Sequence, residues 1–392
     1  MSAQISPVSP ISTISGGRGA RLALRGSTAL AGGLIVALAA LAQPAAAGCS
    51  TSGSSQTCSG NNIQHIYKTD GSVTDVTYEN VTGNINANHG KGWNYVLNLQ
   101  DTGGSGHSYS ANGHHPENGQ SGGDGTDGAR LGVTMHFDKG YGFQSSAGGI
   151  YLHSTGGNGG RGNEDLRFWG TRAHGGTGGA GGAGGDISIS ASEDGGGKTP
   201  HGIVAKSYPG IVAISEGGEG GDGGLGKQSG SAHGYGGTGG EGGAGGDIIV
   251  ELDDGHYVDV TTKRSSTSRS GIHLQSIGGT GSRGGDGNAS GTAYGGTGGA
   301  GGDGGDITFD ASDSKNSITT SGKAIHGIYA QSKGGNGGTG GIGSSGMGTG
   351  HGGDGGQGGQ GGAVSLTYSG SVSTSGDAAL GLYAMSAGGG GG

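Results

Sequence analysis

The chain has 392 residues, of which 108 are glycine, 29% hydrophobic and 5% aromatic, a composition that excludes a conventionally packed globule of this size. Only six prolines accompany the glycine, and Pro7, Pro10 and Pro44 lie close to the N-terminus, which excludes a collagen triple helix. The formal net charge of −9 argues against nucleic acid or anionic lipid as a partner.

Residues 1–47 read as a signal peptide. Arg18, Arg21 and Arg25 precede the apolar run ALAGGLIVALAALA, no acidic residue occurs before Asp70, and Ala45 and Ala47 supply the small residues of a cleavage site before Gly48. The run of 14 apolar residues is short for a membrane span. An alternative parse takes Ala46 to Cys49 as a lipidation box, although the leucine expected at its first position is missing. Without the leader, 17 basic and 29 acidic residues remain, a net −12 that strengthens the case against nucleic acid or anionic lipid and suits a soluble or cell-surface chain. The two cysteines, Cys49 and Cys58, follow the cleavage point, and an oxidising compartment would join them in a disulfide.

Residues 48–130 are expected to form an N-terminal cap and the first β coils, with strand-like alternation at Trp93, Tyr95, Leu97 and Leu99. Residues 131–392 form a glycine-rich repeat with a period of roughly 54–61 residues, the signature of a solenoid. Each unit opens on a return run of one length: GGTGGAGGAGGD (175–186), GGTGGEGGAGGD (236–247), GGTGGAGGDGGD (295–306) and GGDGGQGGQGGA (352–363). An alternating β-like segment follows directly, with Ile187 and Ile189, Ile248 and Val250, Ile307 and Phe309, and Val364 and Leu366 as its apolar positions. A second apolar segment ends in serine: GIYLHS at Ser154, GIVAIS at Ser215, GIHLQS at Ser276, GIYAQS at Ser332 and GLYAMS at Ser386. Each serine opens an outgoing glycine run, so about 30 residues leave and return before the next strand.

Coils of a β-helix stack about 4.8 Å apart, so excursions leaving the same point of each coil must lie side by side. Only a backbone without Cβ tolerates that approach. The G-G-x period matches a three-fold polyproline-II-type helix, on whose rise 12 residues reach about 37 Å. His174, Tyr235, Tyr294 and His351 each stand 12 positions before the expected first strand residue, a register that a flexible tether has no reason to keep. The expected fold is therefore all-β: a right-handed parallel β-helix or solenoid with stacked polyglycine-II-like excursions, with a disordered low-complexity chain as the competing reading.

Several patterns carry candidate chemistry. GGAGGDIIV matches the calcium-binding repeat nonapeptide in full and GGAGGDISI in part, but once per unit rather than in tandem. Asp186, Asp247 and Asp306 would form a carboxylate column able to take calcium, or would accept hydrogen bonds from glycine amides where each strand starts; Ala363 ends the series. SEDGGGKT places Gly197, Lys198 and Thr199 as in a phosphate-binding loop but has Ser192 where the first glycine belongs. None of the 14 histidines forms a zinc-spaced set: His174 and His351 read as solvent-facing members of the register column, His201 and His326 as turn residues. Glu164, Asp165 and Arg167 beside Trp169 form the one dense charged patch with an aromatic neighbour, at an excursion tip where a binding contact is favoured over catalysis.

The leader, followed by units such as SGKAIHGIYAQSKGGNGGTGG and SGDAALGLYAMSAGGGGG, resembles the glycine-rich passenger regions of bacterial autotransporters over most of residues 130–392. That resemblance implies a β-helical passenger carried to the cell surface by a C-terminal translocator barrel. No barrel is present, and the sequence stops inside a glycine run, which leads to the expectation of a truncated chain and a missing barrel partner. The functional expectation is a non-catalytic, adhesin-like protein of the cell surface or outer membrane, meeting a host or abiotic surface, a carbohydrate or its own copies, with no cofactor and no nucleic acid. Alternatives are a calcium-binding secreted repeat protein and a β-helical carbohydrate-active enzyme.

Overall fold

The computed structural model describes residues 48–60, 63, 66–68, 70–81, 85, 94–108, 119–137, 141–168, 171–191, 201–253, 256–263, 270–312 and 315–392. The expected signal peptide, Trp93, Trp169 and the SEDGGGKT segment fall outside these residues. The chain is all-β, with no helix among the described residues.

Three long sheets run through the molecule, and a typical unit gives one strand to each. Ile248–Leu252 joins the first, His256–Lys263 the second and Ser270–Ile277 the third, before the chain leaves along a glycine run. Equivalent strands of successive units pair in parallel without a register shift: Ile187 lies opposite Ile248, Ile248 opposite Ile307, and Ile307 opposite Val364. The period of about 60 residues is thus the sequence distance between one rung and the next. Alternation fixes the inward set, because a strand exposes every second side chain to one face. Ile248, Val250 and Leu252 from the first sheet, Val258 and Val260 from the second, and Ile272 and Leu274 from the third are all buried, in one apolar cluster that runs the length of the stack.

Four features differ from the sequence reading. The alternating segment that was expected to be a single stretch is two strands, Ile248–Leu252 and His256–Lys263, with a corner between them. The first-sheet strands begin at Ile187, Ile248, Ile307 and Val364, one residue later than the Asp186, Asp247, Asp306 and Ala363 positions. His201 and His326 are not turn residues but the first residues of strands His201–Ala205 and His326–Lys333. The excursion tips also form two small parallel sheets, one containing Asp165–Arg167 and Gly226–Gln228, the other Ala173–His174 and Gly234–Tyr235.

Residues 48–130 feed the same sheets. Asp75–Val81 pairs in parallel with Leu131–Phe137, and Tyr95–Thr102 with Gly148–Thr155; Tyr95, Leu97 and Leu99 are buried. One glycine arm already lies in this region: Gly103 and Gly106 donate to Thr155 and Asn158, and Gly122 and Gly125 to Thr177 and Ala180. The hairpin of Gly48–Ser52 and Ser55–Gly60 is the antiparallel pair at the start of the first sheet. It sets Cys49 opposite Cys58, and the two are joined in a disulfide.

Candidate functional site

Each excursion contributes an outgoing and a return run, and the runs of successive units form two facing layers. Within a G-G-x triplet the three backbone amides have separate tasks. The first glycine donates along its own layer to the x carbonyl of the next unit: Gly178 to Thr238 (2.9 Å), Gly181 to Glu241 (2.8 Å) and Gly184 to Ala244 (2.8 Å). The second glycine donates across to the facing layer: Gly179 to Gly160, Gly182 to Gly157, Gly218 to Gly182 and Gly221 to Gly179, each at 2.8 Å. This satisfies groups that a helix without internal hydrogen bonds would otherwise leave bare. A Cβ on Gly240 would collide with the carbonyl oxygen of Gly179, so the spacing is set by backbone alone.

The x residue keeps its own N–H, and the sequence supplies a cap for it. At several x positions an Asp or Asn side chain accepts the amide of the x residue one unit further on: Asp124 from Ala180, Asp127 from Ala183, Asn158 from Glu219, Asp286 from Ile342 and Asn336 from Gly390, whereas Asp222 accepts the Ser282 hydroxyl. Sequence reasoning missed this device, although its signal was present as Asp and Asn recurring at x. The Asp column works the same way. Asp186 Oδ1 accepts from the Asp247 amide (3.0 Å), Asp247 Oδ1 from Asp306 (2.8 Å) and Asp306 Oδ1 from Ala363 (2.7 Å). The donors are therefore the next members of the column and not glycine amides, because each strand starts one residue after the aspartate. Among the described residues, no group of three or more His, Cys, Asp or Glu side chains could hold a metal ion.

The closing serines staple the two ends of each arm. Ser215 Oγ donates to Gly185 O (2.9 Å) and accepts from Gly246 N (2.8 Å); Ser276 Oγ donates to Gly246 O (2.9 Å) and accepts from Gly305 N (2.8 Å). Ser154, Ser215, Ser276 and Ser332 are fully buried. A buried hydroxyl between two backbone groups ties the point where the chain leaves the core to the point where it returns.

At the tip of the arm spanning 155–186, Asp165 is buried and both its oxygens are engaged. Arg167 Nε donates to Oδ1 (2.8 Å) and the His174 amide to Oδ2 (2.9 Å). Glu164 faces Arg161 at 3.9 Å. Asp165 thus holds the tip together, tying the Arg167 side chain to the His174 backbone.

Two aromatic ladders stand on the surface. His174, Tyr235, Tyr294 and His351 stack in succession at 4.6, 5.0 and 4.9 Å, with ring planes within 8° of parallel, so the register column is a stack of rings. On the outer face of the third sheet, His273, Tyr329 and Tyr383 stack at 4.9 and 5.0 Å. Burial holds the His273 and His326 imidazoles below their ordinary pKa, while the Leu380 amide donates to His326 Nδ1 at 3.1 Å. In the adjoining columns Gln275 Nε2 donates to Gln331 Oε1 (2.7 Å), and the hydrogen bond from His153 holds the Glu216 carboxyl below its usual range. This second ladder was legible as the third residue of GIYLHS, GIHLQS, GIYAQS and GLYAMS.

No family model matches the chain, and no curated protein matches it. Among solved structures it is similar to the nine-polyproline-type-II-helix antifreeze protein of the springtail Granisotoma rainieri, at 20% identity over 62% of this chain and 96% of that one, with a TM-score of 0.18.

Proposed function

We propose that the chain is an exported, non-catalytic scaffold of the cell surface, an adhesin-like passenger of the autotransporter type. In this reading its three sheets close as a right-handed parallel β-helix, and each coil extends a polyglycine-II-like arm. The carrying observation is the amide network of the glycine layers. Their interior consists of paired backbone, and every third residue is a side chain turned outward, so the arms form a broad, stiff plate whose surface residues can vary without disturbing the plate. That suits display and contact more than turnover.

The aspartate column supports a structural reading over a calcium-dependent one, because in each member one oxygen is committed to the next backbone amide. The test is expression in a bacterium with the native flanking sequence. Intact cells should expose the chain to added protease and to antibody, and deleting its gene should reduce attachment to surfaces. A chain found only inside spheroplasts would overturn the proposal.

A further inference from the structure

The outer face of the third sheet differs from the rest of the surface in carrying no charge along two full columns. Strand register places Tyr151, Val212, His273, Tyr329 and Tyr383 in one column and His153, Ile214, Gln275, Gln331 and Met385 in the next; Val212 is buried, so the open strip is the three rungs from His273 to Tyr383. Along both columns, from Tyr95–Thr102 to Leu382–Ala387, no position is Asp, Glu, Lys or Arg. Of the acidic side chains of the arms, Asp186, Asp247 and Asp306 lie ahead of the first sheet, and Glu216 stands in the column after these two, one rung before His273, paired with His153.

The side chains of the open strip are half-buried and held in place. The His273, Tyr329 and Tyr383 rings stack face to face, which turns their edges and polar tips outward. Gln331 Oε1 accepts from both Tyr329 OH (2.8 Å) and Gln275 Nε2 (2.7 Å). Gln275 is also hydrogen-bonded to His273, so the second Nε2 hydrogen of Gln275 and the oxygen lone pairs of Tyr329 and Tyr383 remain for a ligand, on rungs about 4.8 Å apart. Preorganised neutral donors and acceptors on an aromatic base match a partner that is itself uncharged, donates and accepts hydrogen bonds, and is long enough to span the rungs from His273 to Tyr383. An anion would need cations here and a cation would need carboxylates. A peptide strand would need an open edge, and the inner strands of this sheet are paired on both sides.

We propose that this strip binds a neutral polysaccharide lying along the stack, its hydroxyls meeting the Gln and Tyr side chains of successive rungs. The assignment deepens the surface-contact reading above and rests on it.

Affinity electrophoresis of the purified chain through gels containing hydroxyethylcellulose, galactomannan, dextran or alginate tests it. At least one neutral polymer should retard the chain, unchanged by added salt. Gln331→Glu and Tyr329→Phe should each weaken that retardation about ten-fold or more, with circular dichroism confirming that both variants fold. Thr238→Ala, in the glycine plate, should leave it unchanged. Retardation by alginate alone, loss of retardation in salt, no retardation by any neutral polymer, or variants that behave as the parent would each overturn the strip as a neutral-glycan site. Cells that display Gln331→Glu and attach as well as the parent would overturn the strip while leaving the scaffold proposal standing.

Discussion

At the scale of single residues, the arm depends on atoms that are missing as much as on those present. Gly240 has the Gly179 carbonyl where its Cβ would be, so Gly240→Ala forces two runs apart; overpacking of this kind costs about 1–3 kcal/mol. Ala300→Ser, at an x position of the same layer, should change stability by less than about 0.5 kcal/mol, and chemical denaturation of the two variants checks the contrast. Ser215→Ala removes the hydroxyl shared by Gly185 O and Gly246 N and leaves both buried, at a cost of about 1–3 kcal/mol by the same measurement. The serine was plain in the sequence as the end of each apolar segment, but its partners were not, because they lie about 30 residues away at the far end of the arm. His273 adds a pH dependence. Burial lowers its pKa in the folded chain, the Gln275 hydrogen bond opposes that shift and His326 adds to it, and burial lowers His326 as well. The unfolded chain therefore binds more protons as pH falls below the ordinary value of about 6.5, and stability that is full above that pH declines with acidification. His273→Tyr, which continues the Tyr329–Tyr383 stack, should flatten this acid limb in part, as read from denaturation midpoints at a series of pH values.

At the scale of elements, the G-G-x period is what a run must conserve. One extra glycine after Gly240 rotates the following residues by a third of a turn and drives the Glu241 side chain toward the facing layer. The same insertion between Ser229 and Ala232, in the tip turn, leaves the period intact. The first variant should lose cooperative unfolding and become protease-sensitive in the arm; the second should resemble the parent in both respects. This is also where the sequence was most and least legible. Ile187, Ile248, Ile307 and Val364 stood at equal distance from the glycine runs, so their stacking could be read directly. The tip sheets could not be, since Gly226–Gln228 and Gly287–Ala289 carry no alternation and become strands only because the arms bring them side by side. The arm within residues 102–130 was obscured for a related reason: TGGSGHS and QSGGDGTDGA break the glycine period, while Asp124 and Thr126 still present the carbonyl and carboxylate oxygens that the next arm uses.

At the scale of the whole molecule, two unlike interiors are joined end to end by the serines: an aliphatic core within the three sheets and a hydrogen-bonded backbone interior within the plate. Composition revealed the second by excluding enough of the first. Because each carboxylate of the aspartate column already serves an amide, the far-ultraviolet circular dichroism and thermal midpoint should be the same in calcium and in chelator. The central claim is that the glycine runs are layers of paired backbone in register, and native-state amide exchange of the full chain tests it most directly. Gly178, Gly181, Gly239 and Gly242 should exchange as slowly as the strand amides of Val250 and Leu274. Exchange of those glycines at the rate of an unstructured peptide, with the strand amides protected, would contradict it.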